Sequence, residues 1–376
     1  MDESNQYREW LQKSLLTEGW EAAFDHQQLT NWVRNNRALL MTMARSCHGN
    51  EETVKQYESV VQDFSPSTKY DLPTTEAIFR PLFDEIVECA KETGLKSVRD
   101  VELVTSTSIS PTPFALPTSG THQLFIGPGT SAFCNYWAKA YTAIVKAISA
   151  RGDTQPIMSS EDLRSRLSRD PSGISLAVRL ALYFSVTGSL LGFGVVDQPP
   201  DYYPYRLELL KSMEIFALSH EYSHFVAHER ELEFKDEDGN PFPHGLELFC
   251  DVMGLQISRT WGSKNRNWLA FTGVGGLAFF RAIDICESGA AELFDGNLGL
   301  SLPRERARRP SDSDTHPSVT DRTMNLITWT IDRTADDERP AVTGFLTEYD
   351  LICTTLRAEV SEILRESKQG LNDESV

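Results

Sequence analysis

No CxxC pair occurs in this chain: its six cysteines (Cys47, Cys89, Cys134, Cys250, Cys286, Cys353) lie far apart. That excludes a cysteine-built zinc module and argues against a disulfide framework, leaving reduced, mostly buried thiols as the expectation. Positive charge is also scarce, with 36 Lys and Arg against 54 Asp and Glu and a formal net charge of −18. A phosphate backbone rewards Lys and Arg, so neither nucleic acid nor an anionic membrane surface is an expected partner. Long apolar runs are missing. Residues 180–196 are uncharged but interrupted by Ser185, Thr187, Gly188, Ser189, Gly192 and Gly194, and residues 268–280 number only 13. A spanning helix wants about 20 strongly apolar residues. Both stretches therefore read as buried core helices, with no membrane span expected. Residues 1–20 are polar and mixed in charge, without the pattern of a secretory signal, so a cytoplasmic location is expected. Gly273, Gly275 and Gly276 lack the preceding strand and full spacing of a nucleotide loop. The arginine-rich stretch 304–309 has no interleaved aromatics and reads as a solvated loop.

What is present is organised in three parts. The first hundred residues look helical, with a start signal at Thr74 and Thr75 and a stop at Gly94. Residues 101–106 alternate apolar and polar, and 122–127 form another short apolar run, which predicts a hairpin-like pair of strands. Residues 133–150 resume a helix. A looser stretch, 151–172, leads to an apolar helix near 176–191, and 207–233 read as one long helix. The acidic segment 229–238 runs into Gly239-Asn240-Pro241, a loop signal. A further helix starts near His244, another follows Pro317, and a last amphipathic one covers 344–367. The division expected is a helical region 1–100, a central domain 101–335 with an insertion at 151–200, and a C-terminal helix and tail over 336–376.

The chemistry-bearing pattern is His220-Glu221-Tyr222-Ser223-His224. Histidines four apart on a helix share one face, one turn apart, where both can reach a single tetrahedral ion. Glu221 between them can take a proton from an activated water, the mechanical sense of HExxH. The run before His220 (Phe216, Ala217, Leu218, Ser219) is apolar and small, as a buried helix requires. Glu247, on the next helix, is the natural third ligand, leaving a fourth position open. Asp251, one turn beyond, is placed to hold the far nitrogen of a ligand histidine. His244 competes with Glu247 as third ligand, and His228 extends the same helical face by one turn.

These residues resemble the gluzincin metallopeptidases, whose pattern is HExxH followed at a distance by ExxxD. The nearest likeness is to the CAAX-prenyl-protease and HtpX-like family. Besides His220–His224 with Glu247 and Asp251, two further stretches carry it. Thr315-His316-Pro317-Ser318 with Arg322 is similar to the family's THP-x4-R run. Pro113-Phe114-Ala115-Leu116-Pro117, followed by Gln123, Leu124, Phe125 and Ile126, is similar to its NAFALP stretch and edge strand, although Thr112-Pro113 stand where the family has Asn before Ala-Phe. The resemblance spans roughly residues 101–330.

It implies an α+β, mostly α-helical fold with a zincin-like metallopeptidase core, a small β-sheet and an HExxH active-site helix. It implies one Zn2+ per chain, held by His220, His224 and Glu247, with Glu221 as general base in the hydrolysis of a protein or peptide substrate. His316 is the candidate for stabilising the developing oxyanion. Arg322 is placed to brace Glu247 or Asp251, or to bind substrate. Gln123, Leu124, Phe125 and Ile126 are expected to pair with an extended substrate at the sheet edge. Two other classes stand beside this reading: a non-catalytic zincin-fold scaffold, and a membrane-associated peptidase using residues 180–196. An intact Glu221 favours the enzyme.

Overall fold

The computed structural model describes residues 70–149, 159–235, 238–294 and 317–373, with scattered residues before 70. His316, the arginine-rich stretch 304–309 and the tail after 373 lie outside the described residues. The fold is mostly helical, α+β, with one three-stranded sheet.

In chain order the elements are α1 (Pro73–Glu92), β1 (Val101–Thr105), β2 (Phe114–Leu116), β3 (His122–Ile126), α2 (Pro128–Ser149), α3 (Ser160–Leu167) and α4 (Ser172–Thr187). A short 3-10 turn then leads into α5 (Tyr203–Glu229), followed by α6 (Gly245–Asn265), α7 (Trp268–Phe271), α8 (Val274–Phe294), α9 (Val319–Asp332) and α10 (Arg339–Asp373). Sequence boundaries differ in instructive places. The connector expected over 151–172 contains α3, whose Ser159 cap accepts a bond from the Asp162 N–H. The apolar stretch 180–196 is helical only to Thr187, where Gly188 turns left-handed and ends α4. The stretch 268–280 is broken at Gly273, whose φ of 81° suits glycine and separates α7 from α8. No helix among the described residues is long and apolar enough to cross a membrane.

The sheet corrects the expected hairpin. Strand order is β1-β3-β2, with β1 parallel to β3 and β2 antiparallel to it. A parallel pair needs a crossover, and here the connection passes through β2 on the far side of β3. The β1 side of the sheet is closed by side chains. Arg80 donates to the Leu103 carbonyl at 3.0 Å and Gln12 donates to the Thr105 carbonyl at 2.6 Å.

Two apolar cores meet on α5. One joins Phe79, Phe83 and Ile86 of α1 and Leu103, Leu124 and Ile126 of the sheet to Tyr222 and Phe225 of α5 and Trp261 of α6. The other joins Trp137 and Tyr141 of α2, Leu180 of α4, Phe279 and Phe280 of α8 and Tyr349 of α10 to Met213 and Phe216 of α5. Thus α1 shares a core with the sheet, while α4 and α10 share one with the helices around α5. A helix apolar on nearly all sides must be buried, and α5 is the central element of the molecule. Its histidines are carried on a rigid, enclosed support.

Candidate metal centre

Three helices and one strand build the site. α5 presents His220, Glu221 and His224; the first turn of α6 presents Glu247, and its second turn Asp251; α9, capped by Ser318, presents Arg322 in its first turn. Close approach of α5 and α6 depends on Gly254. A Cβ there would fall 2.7 Å from the His220 backbone nitrogen and 2.8 Å from its Cα, closer than atoms can pack. The absent side chain lets Glu247 and Asp251 reach across to the histidines.

The Nε2 atoms of His220 and His224 approach to 3.3 Å. The Glu247 carboxylate straddles them, with Oε2 3.5 Å from His220 Nε2 and Oε1 3.6 Å from His224 Nε2. Donors held about 2.0–2.1 Å from a tetrahedral zinc lie roughly 3.3 Å from one another. The three spacings therefore match a common ion at their centre. His220, Glu221 and His224 also form a cluster whose ligand atoms lie within 4.8 Å of one another, a group that can hold a metal ion. Glu221 and Glu247 thus compete for the third ligand place. Geometry favours Glu247, because Glu221 stands farther from His220, at 3.9 Å, and accepts a 2.9 Å hydrogen bond from the Ala115 N–H.

Behind these side chains runs a chain of charge. Asp251, fully buried, lies 2.9 Å from His220 Nδ1. The approach is off the N–H axis, so Nδ1 makes a close charge contact with Asp251 and not a well-aligned hydrogen bond. Arg322 donates to Asp251 through Nε at 2.8 Å and through a terminal amino group at 2.6 Å. The same guanidinium lies 3.5 Å from Glu247 and 3.9 Å above the centre of the Phe280 ring. Of the two roles open to Arg322, bracing the carboxylates is the one its contacts display.

Burial and charge oppose each other at Glu247 and His220 and act together at His224. Burial pushes the Glu247 carboxyl up, but contact with His220 and the charges of both histidines and Arg322 outweigh it and hold the group at about 2. For His220, burial disfavours the charge, yet Asp251 and Glu247 raise it to about 9. Burial and the nearby His220 charge lower His224 to about 4. Glu221 rises to about 7, chiefly through burial, with Glu247 adding to the shift and His220 opposing it. One imidazolium thus balances the carboxylates where a divalent cation would otherwise do so.

The cleft above these residues encloses about 810 Å³. Phe184, Phe216, Phe279, Phe280 and Ile283 give it an apolar wall, and Phe114 and Ala115 of β2 form another side. Here the sequence expectation for substrate contacts is corrected. Gln123, Leu124, Phe125 and Ile126 belong to β3, the central strand, where β1 and β2 flank them and none is more than 5% exposed. The strand edge at the cleft is β2. Its Ala115 faces Leu124 across the ladder, while the Ala115 N–H donates to Glu221. In the sequence, Ala115 belongs to the Pro113–Pro117 motif, whose signal is that of a lead-in to the edge. Phe280, beneath Arg322, had no signal beyond its place in an apolar stretch.

His244 precedes α6, its ring 6.0 Å from that of Phe242, and His228 reaches the cleft wall with its ring 6.0 Å from that of His122. Neither joins the convergent set. The chain matches no known family model, and no curated protein or solved structure is significantly similar to it.

Proposed function

We propose that this protein is a zinc-dependent endopeptidase of the gluzincin type, with a zincin-like core, His220, His224 and Glu247 as metal ligands and Glu221 as general base. The observation that carries the reading is the convergence of two imidazole Nε2 atoms and one carboxylate at 3.3–3.6 Å, with a second carboxylate beside them in an apolar cleft.

Zinc, when bound, supplies Lewis acidity that polarises a scissile carbonyl and eases ionisation of water. The protein's own residues do the rest. Glu221, whose carboxyl is held near 7, takes a proton from the attacking water and returns it to the leaving amine. The Ala115 N–H orients that carboxylate and links it to the strand where substrate lies. Asp251, held by Arg322, orients His220 through its close contact with Nδ1, leaving Nε2 free as a ligand. An extended peptide adds to β2, gaining backbone hydrogen bonds, with its side chains directed to the aromatic wall.

The test is Glu221→Gln. Purified variant and wild type should each hold about one zinc per chain, while cleavage of a denatured-protein substrate falls by at least about 10³-fold in the variant. Retained cleavage by Glu221→Gln, or wild-type protein without stoichiometric zinc after metal loading, would refute the reading. Comparing cleavage products of the two proteins in a proteome digest then identifies what is cut.

A further inference from the structure

A second pocket, of about 510 Å³, opens between α6, α7, α9 and the end of α1. At 3.6 residues per turn, Gln256, Arg259 and Ser263 fall on the side of α6 opposite to Glu247, Asp251 and Gly254, so this pocket is separate from the metal cleft. Its lining is unusual for a chain with a net charge of −18. Arg259, Lys264 and Arg333 all reach it. Lys264 is matched by Glu92 at 2.7 Å. The two arginines have no carboxylate in contact among the described residues; the acid felt by Arg259 is Glu338, on the exposed surface.

Both guanidiniums address one indole. Arg259 lies 4.8 Å from the centre of the Phe271 ring and 6.0 Å from that of Trp329, and Arg333 lies 5.4 Å from Trp329. Both guanidiniums thus lie over Trp329 and line one pocket. Aromatic faces orient guanidinium groups but accept no in-plane hydrogen bonds, so the N–H fork of each remains directed away from the ring. Arg259 Nη1 is buried and has no hydrogen-bond partner. A half-buried guanidinium and an exposed one thus line the same open pocket beside Lys264 and Ser263, a donor-rich lining suited to an anion.

We infer that this pocket binds a phosphoryl-bearing small molecule. A phosphoryl dianion matches two guanidiniums in charge and offers three acceptor oxygens for their forks. The exposed Ser263 hydroxyl supplies a further donor at the rim. The shared chemistry is the phosphoryl group; it can arrive as free phosphate or on a nucleotide.

The experiment is calorimetric titration of the full chain with sodium phosphate and, separately, with adenosine 5′-diphosphate, at constant ionic strength set with chloride. Saturable binding is expected for at least one probe, weakened at least about tenfold in both Arg259→Gln and Arg333→Gln. Arg333 is exposed, so its variant folds even if loss of the Arg259 stack disturbs packing. Equal affinity for the two probes assigns free phosphate; tighter binding of the diphosphate assigns a diphosphate-bearing molecule such as a nucleotide. Absence of saturation by either probe up to about 10 mM overturns the inference. So does undiminished binding in Arg333→Gln, which would place the ligand elsewhere, including at a zinc ion.

Discussion

Arg322 grips Asp251 through two hydrogen bonds, of 2.8 and 2.6 Å, while Asp251 lies 2.9 Å from the Nδ1 of His220. A residue from the first turn of α9 thereby controls the direction of an imidazole on α5, by way of a carboxylate on α6. Lysine cannot reproduce the two-pronged contact, because its ammonium is a single point charge. Arg322→Lys is therefore expected to weaken zinc binding about 10- to 100-fold while the fold persists. Competition with a chromophoric chelator measures it, and an unchanged zinc affinity would remove Arg322 from the site.

Zinc affinity should also depend on pH with a definite sign. Without metal, His220 keeps its proton up to about 9, whereas His224 loses its own above about 4. Between these values, loading both imidazoles as ligands expels one proton, from His220. Affinity is then expected to rise about tenfold for each unit of pH between roughly 5 and 8, levelling off above 9. Chelator titrations across that range, with proton release followed by a pH indicator, test the slope.

Gly254 lets α6 lie against the backbone of His220. Gly254→Val places branched carbon where no space exists, so α6 must shift and carry Glu247 and Asp251 with it. A loss of about 1–3 kcal/mol in stability is expected, together with a lower zinc stoichiometry. Urea unfolding and metal analysis of the same preparation should show both losses; a variant that fills its zinc site normally would contradict this view of the helix contact.

Buried Glu214, six residues before His220 on α5, has its carboxyl raised to about 8, chiefly by burial, which Ser131 and Lys211 oppose. The folded chain retains this proton where the unfolded chain releases it, above about 4.5. Stability from this group is therefore full in acid and declines as pH rises from about 4.5 to 8. Glu214→Gln should flatten that decline, gaining on the order of a few kcal/mol over wild type at pH ~9, since one pKa unit corresponds to about 1.4 kcal/mol. Denaturant midpoints of both proteins at acid, neutral and alkaline pH give the comparison.

Ala115→Pro removes the N–H that holds Glu221. Proline is tolerated at a sheet edge when the missing N–H lies outside the ladder. The variant is expected to fold and bind zinc, with peptide cleavage reduced about tenfold or more. Circular dichroism, metal content and cleavage rate distinguish this outcome from simple unfolding.

Local spacing made much of this site legible. The four-residue interval between His220 and His224 defines one helical face wherever that helix sits, and the same interval pairs Glu247 with Asp251. Gly94 and Pro317 marked element ends for the same local reason. The sheet was not legible in that way. Residues 101–106 and 122–127 have the composition of strands, but alternation does not say which neighbour a strand takes or in which direction. Three residues, Phe114–Leu116, were too few to register as a strand, yet they occupy the edge at the cleft.

By itself, then, the amino-acid order determined the helical character of the chain, the helix with its two histidines, and the carboxylates able to complete a metal site. Helical periodicity acts within a few residues, so those statements need no partner. Tertiary structure alone decided that Glu247 stands between the imidazoles, that Arg322 holds Asp251, and that β2, not β3, faces the cleft. Each of these depends on elements distant in sequence packing against α5, and on Gly254 leaving the space for one of them to do so.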